Sequence, residues 1–244
     1  MVNRTLCPSL MCADLGNLRQ TVSEMDAAGV SEYHMDIMDG EFVPNFALSW
    51  ADFATVRKLT KKQMDCHLMV KNPSIHLPYA FKHGANLVYV HYESGDVANY
   101  LYEIKTHGIK AGLAINPDTK IKDIGTLFPL MDSILVMRVH PGFAGQVAIP
   151  EVENKIQELA NIPNRKFSIR LDGHVSQDVI KKWSAQGVEG FVLGTASQVF
   201  KKDGNIDLIE LRKIIKDSRG TPSKISDEQP KSKRLRNSRS ERES

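Results

Sequence analysis

His34 and Asp36 place an imidazole and a carboxylate two residues apart in an apolar segment near the start of the chain. If that segment is a β-strand, both side chains lie on one face, because successive side chains of a strand alternate between its faces. His67 and Asp172 end two further apolar segments. Two imidazoles and two carboxylates form a mixed donor set that suits Zn, Fe, Co or Mn better than Ca or Mg. The residue types therefore predict one divalent metal ion.

Taken singly, each of these four residues has an ordinary structural explanation. A lone interior histidine is more often a hydrogen-bonded core residue, and an aspartate at a strand end is often the cap of the next helix. Four such groups on three strands are harder to explain, because buried carboxylates are costly unless paired, hydrogen-bonded or bound to metal. Five other histidines show no such grouping and are assigned to surface or structural positions: His76, His83, His91, His107 and His140.

Three glycine-containing segments in the second half of the chain could bind an anion. They are 141–146, 172–174 and 194–197, and each follows an apolar segment. Glycine lets backbone N–H groups approach an anion closely, and phosphate sites in barrels commonly follow the last two strands. Any one of these segments is weak evidence, since glycine is common in such loops for steric reasons. Together they predict a phosphate site.

The elements that must position these residues are repeated strand and helix units, which are typical of a parallel sheet. The candidate strands are Leu6–Leu10, Glu32–Ile37, Met64–Met69, Leu87–His91, Lys110–Ile115, Ser133–Val139, Phe167–Leu171 and Gly190–Leu193. Helix-like segments before a glycine include Asn17–Ala28, Pro73–His83, Val97–His107 and Gln177–Gln186. Eight near-equal units favour an α/β fold, a single (β/α)8 TIM barrel, over an open doubly wound sheet. The chemistry of such a barrel gathers at the C-terminal ends of its strands.

Composition predicts one folded domain followed by a tail. The chain has 244 residues, 41% of them hydrophobic, which suits one barrel catalytic domain at 1–218. Residues 219–244 carry eight Lys/Arg and four Asp/Glu and few large apolar side chains, so we expect a disordered basic tail. A basic segment can bind nucleic acid, but a solvated tail without a specific partner is the favoured interpretation.

Three cysteines without a Cys-x-x-Cys pair exclude a disulfide framework and favour a reducing cytosol. Neither a signal peptide nor a membrane-length apolar segment is found in the sequence. We therefore expect a soluble, cytoplasmic protein with no membrane partner. A homo-oligomer is the working expectation for its assembly.

The ordered motifs resemble the ribulose-phosphate 3-epimerase family over roughly residues 5 to 215. They are Pro8-Ser9-Leu10-Met11-Cys12-Ala13-Asp14-Leu15, the segment from His34 through Asp36, Met38-Asp39-Gly40 and Phe42-Val43-Pro44-Asn45, Asp65-Cys66-His67-Leu68-Met69-Val70, Pro141-Gly142-Phe143-Ala144-Gly145-Gln146 and Leu171-Asp172-Gly173.

This resemblance implies a role for each matching residue. His34, Asp36, His67 and Asp172 would bind the metal, and Asp36 and Asp172 would also be the catalytic acid/base pair. The residues implied to contact a small-molecule sugar phosphate are Ser9, His67, Met38, Met69, Met137, Gly142, Phe143, Ala144, Gly145, Gly173, His174, Gly194 and Thr195. Inverting C3 of a 2-ketose requires a proton to leave one face and return to the other, which needs two proton carriers.

Three loop residues depart from the pattern usual for pentulose phosphate epimerases. Ala144, His174 and Thr195 stand where glycine, glycine and serine are usual. Together with Ser9-Leu10-Met11-Cys12, they favour the D-allulose-6-phosphate 3-epimerase branch, with D-ribulose 5-phosphate as the alternative substrate. The sequence gives no account of Arg138, which would point from its strand towards the helices.

Two interpretations from other classes stay open. The chain could be a metal-free isomerase or decarboxylase that uses the same phosphate site, or a non-catalytic barrel that senses a sugar phosphate and binds nucleic acid through its tail. The presence of both histidines and both aspartates argues against each of these.

Overall fold

Eight parallel strands form the centre of the protein in a computed structural model, which describes residues 4–219. They are β1 (Thr5–Pro8), β2 (Glu32–Met38), β3 (Gln63–Met69), β4 (Leu87–His91), β5 (Lys110–Ile115), β6 (Ser133–Met137), β7 (Ser168–Asp172) and β8 (Gly190–Leu193). Their order around the sheet is β1-β8-β7-β6-β5-β4-β3-β2. A parallel bridge between Ser9 and His34 joins the chain just beyond β1 to β2. The prediction of a (β/α)8 TIM barrel is therefore confirmed.

Helices surround this barrel. They are α1 (Leu18–Ala28), α2 (Trp50–Leu59), α3 (Pro73–Lys82), α4 (Val97–Thr106), α5 (Ile121–Ile124), α6 (Val152–Ala160), α7 (Gln177–Ser184) and α8 (Leu208–Arg219). The glycines expected after four of the helices, at 29, 84, 108 and 187, all have positive φ, as a left-handed residue at a helix C-terminus requires. The predicted tail at 219–244 lies outside the described residues except for Arg219. The division of the chain after residue 218 stays a prediction.

The strand ends differ from the predicted ones by one or two residues in several places. β1 ends at Pro8 because the chain turns at Ser9 into the short 3-10 helix Leu10–Cys12. β6 ends at Met137, two residues before the predicted end. Apolar side chains continue past both strand ends, and single backbone contacts persist there, such as the Ser9–His34 bridge and the Arg138 N–H that donates to the carbonyl oxygen of Asp172, but the regular strands have ended. Local hydrophobicity therefore misplaces these ends.

The core has an outer and an inner layer. The outer layer packs the helices against the barrel, and the inner layer fills the barrel with side chains that include Tyr89, Leu135 and Met137. Gly190 leaves room for a large interior side chain, because a Cβ atom there would lie 2.5 Å from Cγ of Arg170. The barrel is thus a packed interior with one open end, where the loops after the strands leave a pocket.

Within residues 4–219, the structure has no helix long and apolar enough to cross a membrane.

Candidate active site

A pocket opens at the C-terminal end of the barrel, where the strands give way to the loops that precede the helices. Asp36 and Asp172 lie in it, together with all the residues expected to contact substrate except His67. His34 and His67 are fully buried and lie beneath this pocket. The described structure thus brings the predicted residues to one place, with the imidazoles below and the glycine-containing loops above.

Four side chains converge at the base of the pocket. Oδ1 of Asp36 lies 3.2 Å from Nε2 of His34 and 3.1 Å from Nδ1 of His67. Oδ2 of Asp172 lies 3.8 Å and 3.7 Å from the same two nitrogen atoms. One ligand atom from each of the four residues lies within 4.8 Å of the other three. This spacing would let one cation contact all four.

Strand geometry explains why these residues meet. His34 and Asp36 share the inner face of β2, and Asp36 is paired with His67 of β3 in the parallel register. Asp172 ends β7, which lies three strand positions from β2 around the closed barrel. Alternation and register therefore bring three candidate ligands together, and closure of the barrel adds the fourth.

The second ring nitrogen of each candidate ligand histidine lies close to a polar group on the side away from the two carboxylates. Nδ1 of His34 lies 2.5 Å from Oδ1 of the buried Asp65, and Nε2 of His67 lies 2.8 Å from Nε2 of His91. Nε2 of His34 and Nδ1 of His67 are consequently left to face the two carboxylates. In metal sites, the ring nitrogen of a histidine that does not bind the metal usually donates to a carboxylate or another acceptor. This contact fixes which nitrogen carries the proton.

The donor set fits a divalent metal ion. It combines two imidazole nitrogen atoms with two carboxylates, a chemistry that suits Zn and its transition-metal neighbours. Burial alone would lower the pKa of His34, but Asp65 and Asp36 outweigh burial and raise it well above its ordinary value. The cluster therefore attracts positive charge strongly, and His34, Asp36, His67 and Asp172 could bind a metal.

The two carboxylates of the cluster have different environments. Burial raises the pKa of Asp36, but the charges and hydrogen bonds of His34 and His67 outweigh burial and hold it well below its ordinary value. The Ser9 hydroxyl also donates to Oδ2 of Asp36 at 2.6 Å. Burial raises the pKa of Asp172, and the charge of Asp36 adds to this effect although His34 opposes it. Two carboxyl groups with separated pKa values are typical of acid/base pairs.

Cys12 also lines the pocket, but as a neutral thiol. Burial raises its pKa to about 12, and the negative charges of Asp36 and Asp172 contribute to the shift. Because the thiolate is the nucleophilic form of cysteine, this side chain is unsuited to covalent catalysis at neutral pH.

The loops after β6 and β7 are shaped by backbone positions that favour glycine. Gly142 has a φ of 118°, and Gly173 has a φ of 91° with Val139 so close that a Cβ atom would lie 2.6 Å from Cγ2 of that valine. His174 is also in the left-handed region, at a φ of 51°. Its Nδ1 lies 2.9 Å from the carbonyl oxygen of Gln146, so the ring links the two loops and is exposed at the pocket rim.

Arg138 supports the loop after β7 from the helix side of the barrel. The buried guanidinium donates from Nη1 to the carbonyl oxygens of Gly173, at 3.2 Å, and His174, at 2.7 Å. Nη2 donates to Oε1 of Glu153 on α6 at 3.0 Å. This accounts for an arginine directly after a largely apolar strand.

The sequence comparisons with known proteins agree on one family. The sequence model of the ribulose-phosphate 3 epimerase family matches residues 5–200. A ribulose-phosphate 3-epimerase of Synechocystis sp. is 34% identical over 200 residues, which cover 80% of this chain and 87% of that protein. The chain belongs to the ribulose-phosphate 3-epimerase family. It is an isomerase, a ketose-phosphate 3-epimerase.

Two further comparisons extend this result. The cytoplasmic isoform of ribulose-phosphate 3-epimerase from Oryza sativa subsp. japonica is 32% identical over 221 residues, covering 87% of this epimerase and 95% of the rice protein. A solved structure of 3-keto-L-gulonate-6-phosphate decarboxylase from Vibrio cholerae superposes with a TM-score of 0.65 at 14% identity, covering 88% of this chain and 98% of that one. The similarity to the decarboxylase concerns the fold alone.

Sequence reasoning missed several residues that contact the site. His91 was assigned a surface or structural position, yet it is fully buried and its ring stacks on that of His67 at a centroid distance of 5.0 Å. Asp65 could have been found, because it lies two residues before His67 on the same face of its strand. Asn45 donates from Nδ2 to the carbonyl oxygen of Gly142 at 2.6 Å, a contact between distant loops that no local pattern indicates.

Proposed function

We propose that this epimerase interconverts D-ribulose 5-phosphate and D-xylulose 5-phosphate by inverting the configuration at C3. The observation that carries the choice of sugar is the name shared by the relatives from Synechocystis and rice, both ribulose-phosphate 3-epimerases that match at least 80% of this chain. The loop residues Ala144, His174 and Thr195 favoured D-allulose 6-phosphate instead. The comparisons support the alternative substrate better.

Asp36 and Asp172 are proposed as the two proton carriers. Their supporting observation is placement: both carboxylates line one pocket and approach its base from strands three positions apart around the barrel. A sugar held between them would present opposite faces of C3 to the two carboxylates. One would remove the proton beside the carbonyl group while the other returned a proton to the opposite face.

His34, Asp36, His67 and Asp172 are proposed to hold one divalent ion, with Zn, Fe, Co and Mn as candidates. When bound, this ion would supply electrostatic stabilisation of the negative charge that develops on the C2 and C3 oxygen atoms. Met38, Met69 and Met137 line the pocket. Their apolar side chains lower the local dielectric and strengthen the electrostatic interactions there.

The phosphate group is proposed to bind above the carboxylates, on the loops after β6, β7 and β8. The backbone amides would come from Gly142–Gly145 with Phe143 and Ala144 between them, from Gly173 and His174, and from Gly194 and Thr195. A phosphate group held on these loops, away from C3, fixes the orientation of the sugar. Binding energy from a non-reacting group thus serves to position the reacting carbon.

D-Allulose 6-phosphate is kept as a second candidate because of the departures at Ala144, His174 and Thr195. Ala144 and His174 are exposed at the pocket rim, where a sugar longer by one carbon would extend. Because both side chains are exposed and not buried inside the pocket, neither blocks the space that a hexulose phosphate would need.

The deciding experiment measures kcat/KM for both sugar phosphates in deuterated solvent, with deuterium incorporation at C3 as the readout. We expect D-ribulose 5-phosphate to be preferred by more than about tenfold, a difference of roughly 1.4 kcal/mol in transition-state binding. The reverse preference would replace the proposed substrate by the second candidate. No exchange with either sugar would contradict the proposed function.

Removal of metal provides an independent test. Chelation followed by dialysis should abolish exchange at C3, and one of Zn, Fe, Co or Mn should restore it. The metal-free protein should also unfold at a lower temperature, because a ligand at about 100 times its Kd stabilises the folded state by roughly 2.7 kcal/mol. Full activity of protein shown by elemental analysis to be metal-free would contradict the proposed metal site.

We propose a cytoplasmic location and a homo-oligomeric assembly. The name of the rice relative, a cytoplasmic isoform, supports the expected cytoplasmic location. A homo-oligomer stays a prediction, which sedimentation of the full chain would test.

A further inference from the structure

His67 contacts polar groups on both sides of its ring. Nδ1 faces the carboxylate of Asp36 at 3.1 Å, and Nε2 faces Nε2 of His91 at 2.8 Å. His91 ends β4, the neighbour of β3 in the sheet, and is fully buried. On its far side, Nδ1 of His91 lies 3.2 Å from Oε2 of Glu93. The three side chains thus form a row that leads away from the candidate metal site.

The row has only one consistent direction of hydrogen bonding when Nδ1 of His67 binds a metal ion. That nitrogen must offer its lone pair, so the ring proton of neutral His67 lies on Nε2. Nε2–H then donates to Nε2 of His91, which must be unprotonated. The proton of neutral His91 therefore lies on Nδ1 and donates to the carboxylate of Glu93.

Glu93 is itself anchored at the opposite end of the row. Its Oε1 accepts from the backbone N–H of Asn116 at 3.1 Å and from the hydroxyl group of Thr119. Its side chain is only 26% exposed. Phe42, from the loop after β2, lies against the ring of His91 with a centroid distance of 4.9 Å. Both the position and the proton acceptor of His91 are therefore fixed by contacts outside the metal cluster.

We propose that His91 and Glu93 are positioning residues that hold His67 in the tautomer with a free Nδ1 lone pair. The proposal rests on the proposed role of His67 as a metal ligand. It assigns the same task that Asp65 performs for His34, except that the carboxylate acts through an intervening imidazole. Neither His91 nor Glu93 lines the substrate pocket, so their effect is on the affinity for metal rather than on contact with the sugar.

The first test compares metal affinity in variants of the full chain by competition with a chromophoric chelator, using Zn²⁺ alone. His91→Leu removes the acceptor for Nε2–H of His67 and should weaken binding about 10- to 100-fold, the usual cost of losing such a partner. His91→Gln keeps an acceptor oxygen and should recover a large part of the affinity. Glu93→Gln should give a smaller loss than His91→Leu.

Matched controls separate this effect from general destabilisation. His76→Gln changes a half-buried histidine on α3 that accepts a hydrogen bond from Trp50. Glu189→Gln changes a carboxylate that pairs with Arg165 before β8, at the other end of the barrel. Both controls should bind Zn²⁺ as tightly as the original protein.

The second test reads the tautomer directly from the ¹⁵N chemical shifts of the histidine rings. In the Zn²⁺-bound protein, His67 should carry its proton on Nε2, and the ¹⁵N signal of this nitrogen should shift in His91→Leu, which removes its hydrogen-bond acceptor. A purely structural role for His91 would leave it unchanged.

The outcomes are distinguishable. If the original protein binds no metal, the proposed metal site is wrong. If it binds Zn²⁺ and His91→Leu binds within about threefold of it, with an unchanged signal from Nε2 of His67, the inference is wrong and the metal site stands. Should His91→Leu fail to fold, Glu93→Gln and the original protein decide: His67 protonated on Nδ1 in the Zn²⁺-bound protein, or undiminished affinity in Glu93→Gln, overturns the inference.

Discussion

Asp36 and Asp172 have opposite pKa shifts although they share one pocket. Asp36 is buried and Asp172 is largely buried, which raises the pKa of a carboxyl group. The difference comes from their neighbours: Asp36 lies within 3.2 Å of the imidazoles of His34 and His67, whereas Asp172 is more than 3.5 Å from them and close to the charge of Asp36. Two identical side chains thus acquire different proton affinities, although their distances from the imidazole nitrogen atoms differ by less than an ångström.

Replacing either carboxylate tests the proposed proton transfer. Asp36→Asn and Asp172→Asn should each lower C3 exchange by at least about 10²- to 10⁴-fold, because an amide can neither accept nor return the proton. Deuterium incorporation with equal amounts of folded protein would measure this. Asp132→Asn is the control, since Asp132 accepts from the backbone N–H of Ala111 at the start of β5. Undiminished exchange in both site variants would contradict the mechanism.

At the level of elements, the loops after β2, β6 and β7 are tied to one another. Asn45 bonds to the loop after β6, and the ring of His174 bonds to the carbonyl oxygen of Gln146. Arg138 holds the loop after β7 from the outside of the barrel. Each contact joins residues far apart in sequence, so the loop positions are set by tertiary contacts and not by their glycines alone.

Arg138→Met should weaken substrate binding and spare the chemical step. The variant leaves two loop carbonyl oxygens without their charged donor, and hydrogen bonds to charged groups contribute about 1.5 to 3 kcal/mol each. We expect KM for the sugar phosphate to rise by about tenfold or more, with kcat changed much less. Steady-state kinetics would show the split.

Lys182→Met is the matched control for that variant, because the exposed Lys182 pairs with the other oxygen atom of Glu153 and does not contact the loop. Equal changes in the two variants would assign the effect to Glu153 and not to the loop. A fall in kcat with constant KM would contradict a role for Arg138 in positioning the loop.

In the molecule as a whole, a second charged cluster lies below the candidate active site, inside the barrel. Arg170 pairs with Glu32, lies 3.3 Å from Oδ2 of Asp65 and donates to the sulfur atom of Cys7 at 3.4 Å. The spacing of Cys7, Glu32 and Asp65 would by itself suit a metal ion. The guanidinium group of Arg170, however, already supplies the positive charge between these three side chains. Asp65 connects this cluster to His34, so one set of contacts supports both stability and the site.

Arg170→Met should destabilise the protein strongly. Removing one partner of a buried ion pair typically costs about 3 to 5 kcal/mol, because it leaves an uncompensated buried charge. Urea unfolding would measure the loss. Adding Glu32→Met to this variant removes one of the stranded carboxylates and should recover part of the stability. A loss below about 1 kcal/mol would show that the carboxylates become protonated or reach water.

Much of this architecture was predictable because it depends on local periodicity. Alternation along β2 placed His34 and Asp36 on one face, and glycines that suit a left-handed backbone placed four helix ends within two residues. The strand count then implied a barrel, and the barrel implied that the glycine-containing loops gather at the end that holds the carboxylates. These inferences use only spacing along the chain.

Tertiary structure alone decided which residues support the candidate ligands. His91 contacts His67 because β4 pairs with β3 in one particular register, and Arg138 reaches Gly173 because β6 and β7 are neighbours. Such contacts depend on distances between strands, whereas a sequence pattern describes only the faces of each strand. The sequence by itself determined the barrel and the donor set, and the packing of strand against strand decided how each donor is oriented.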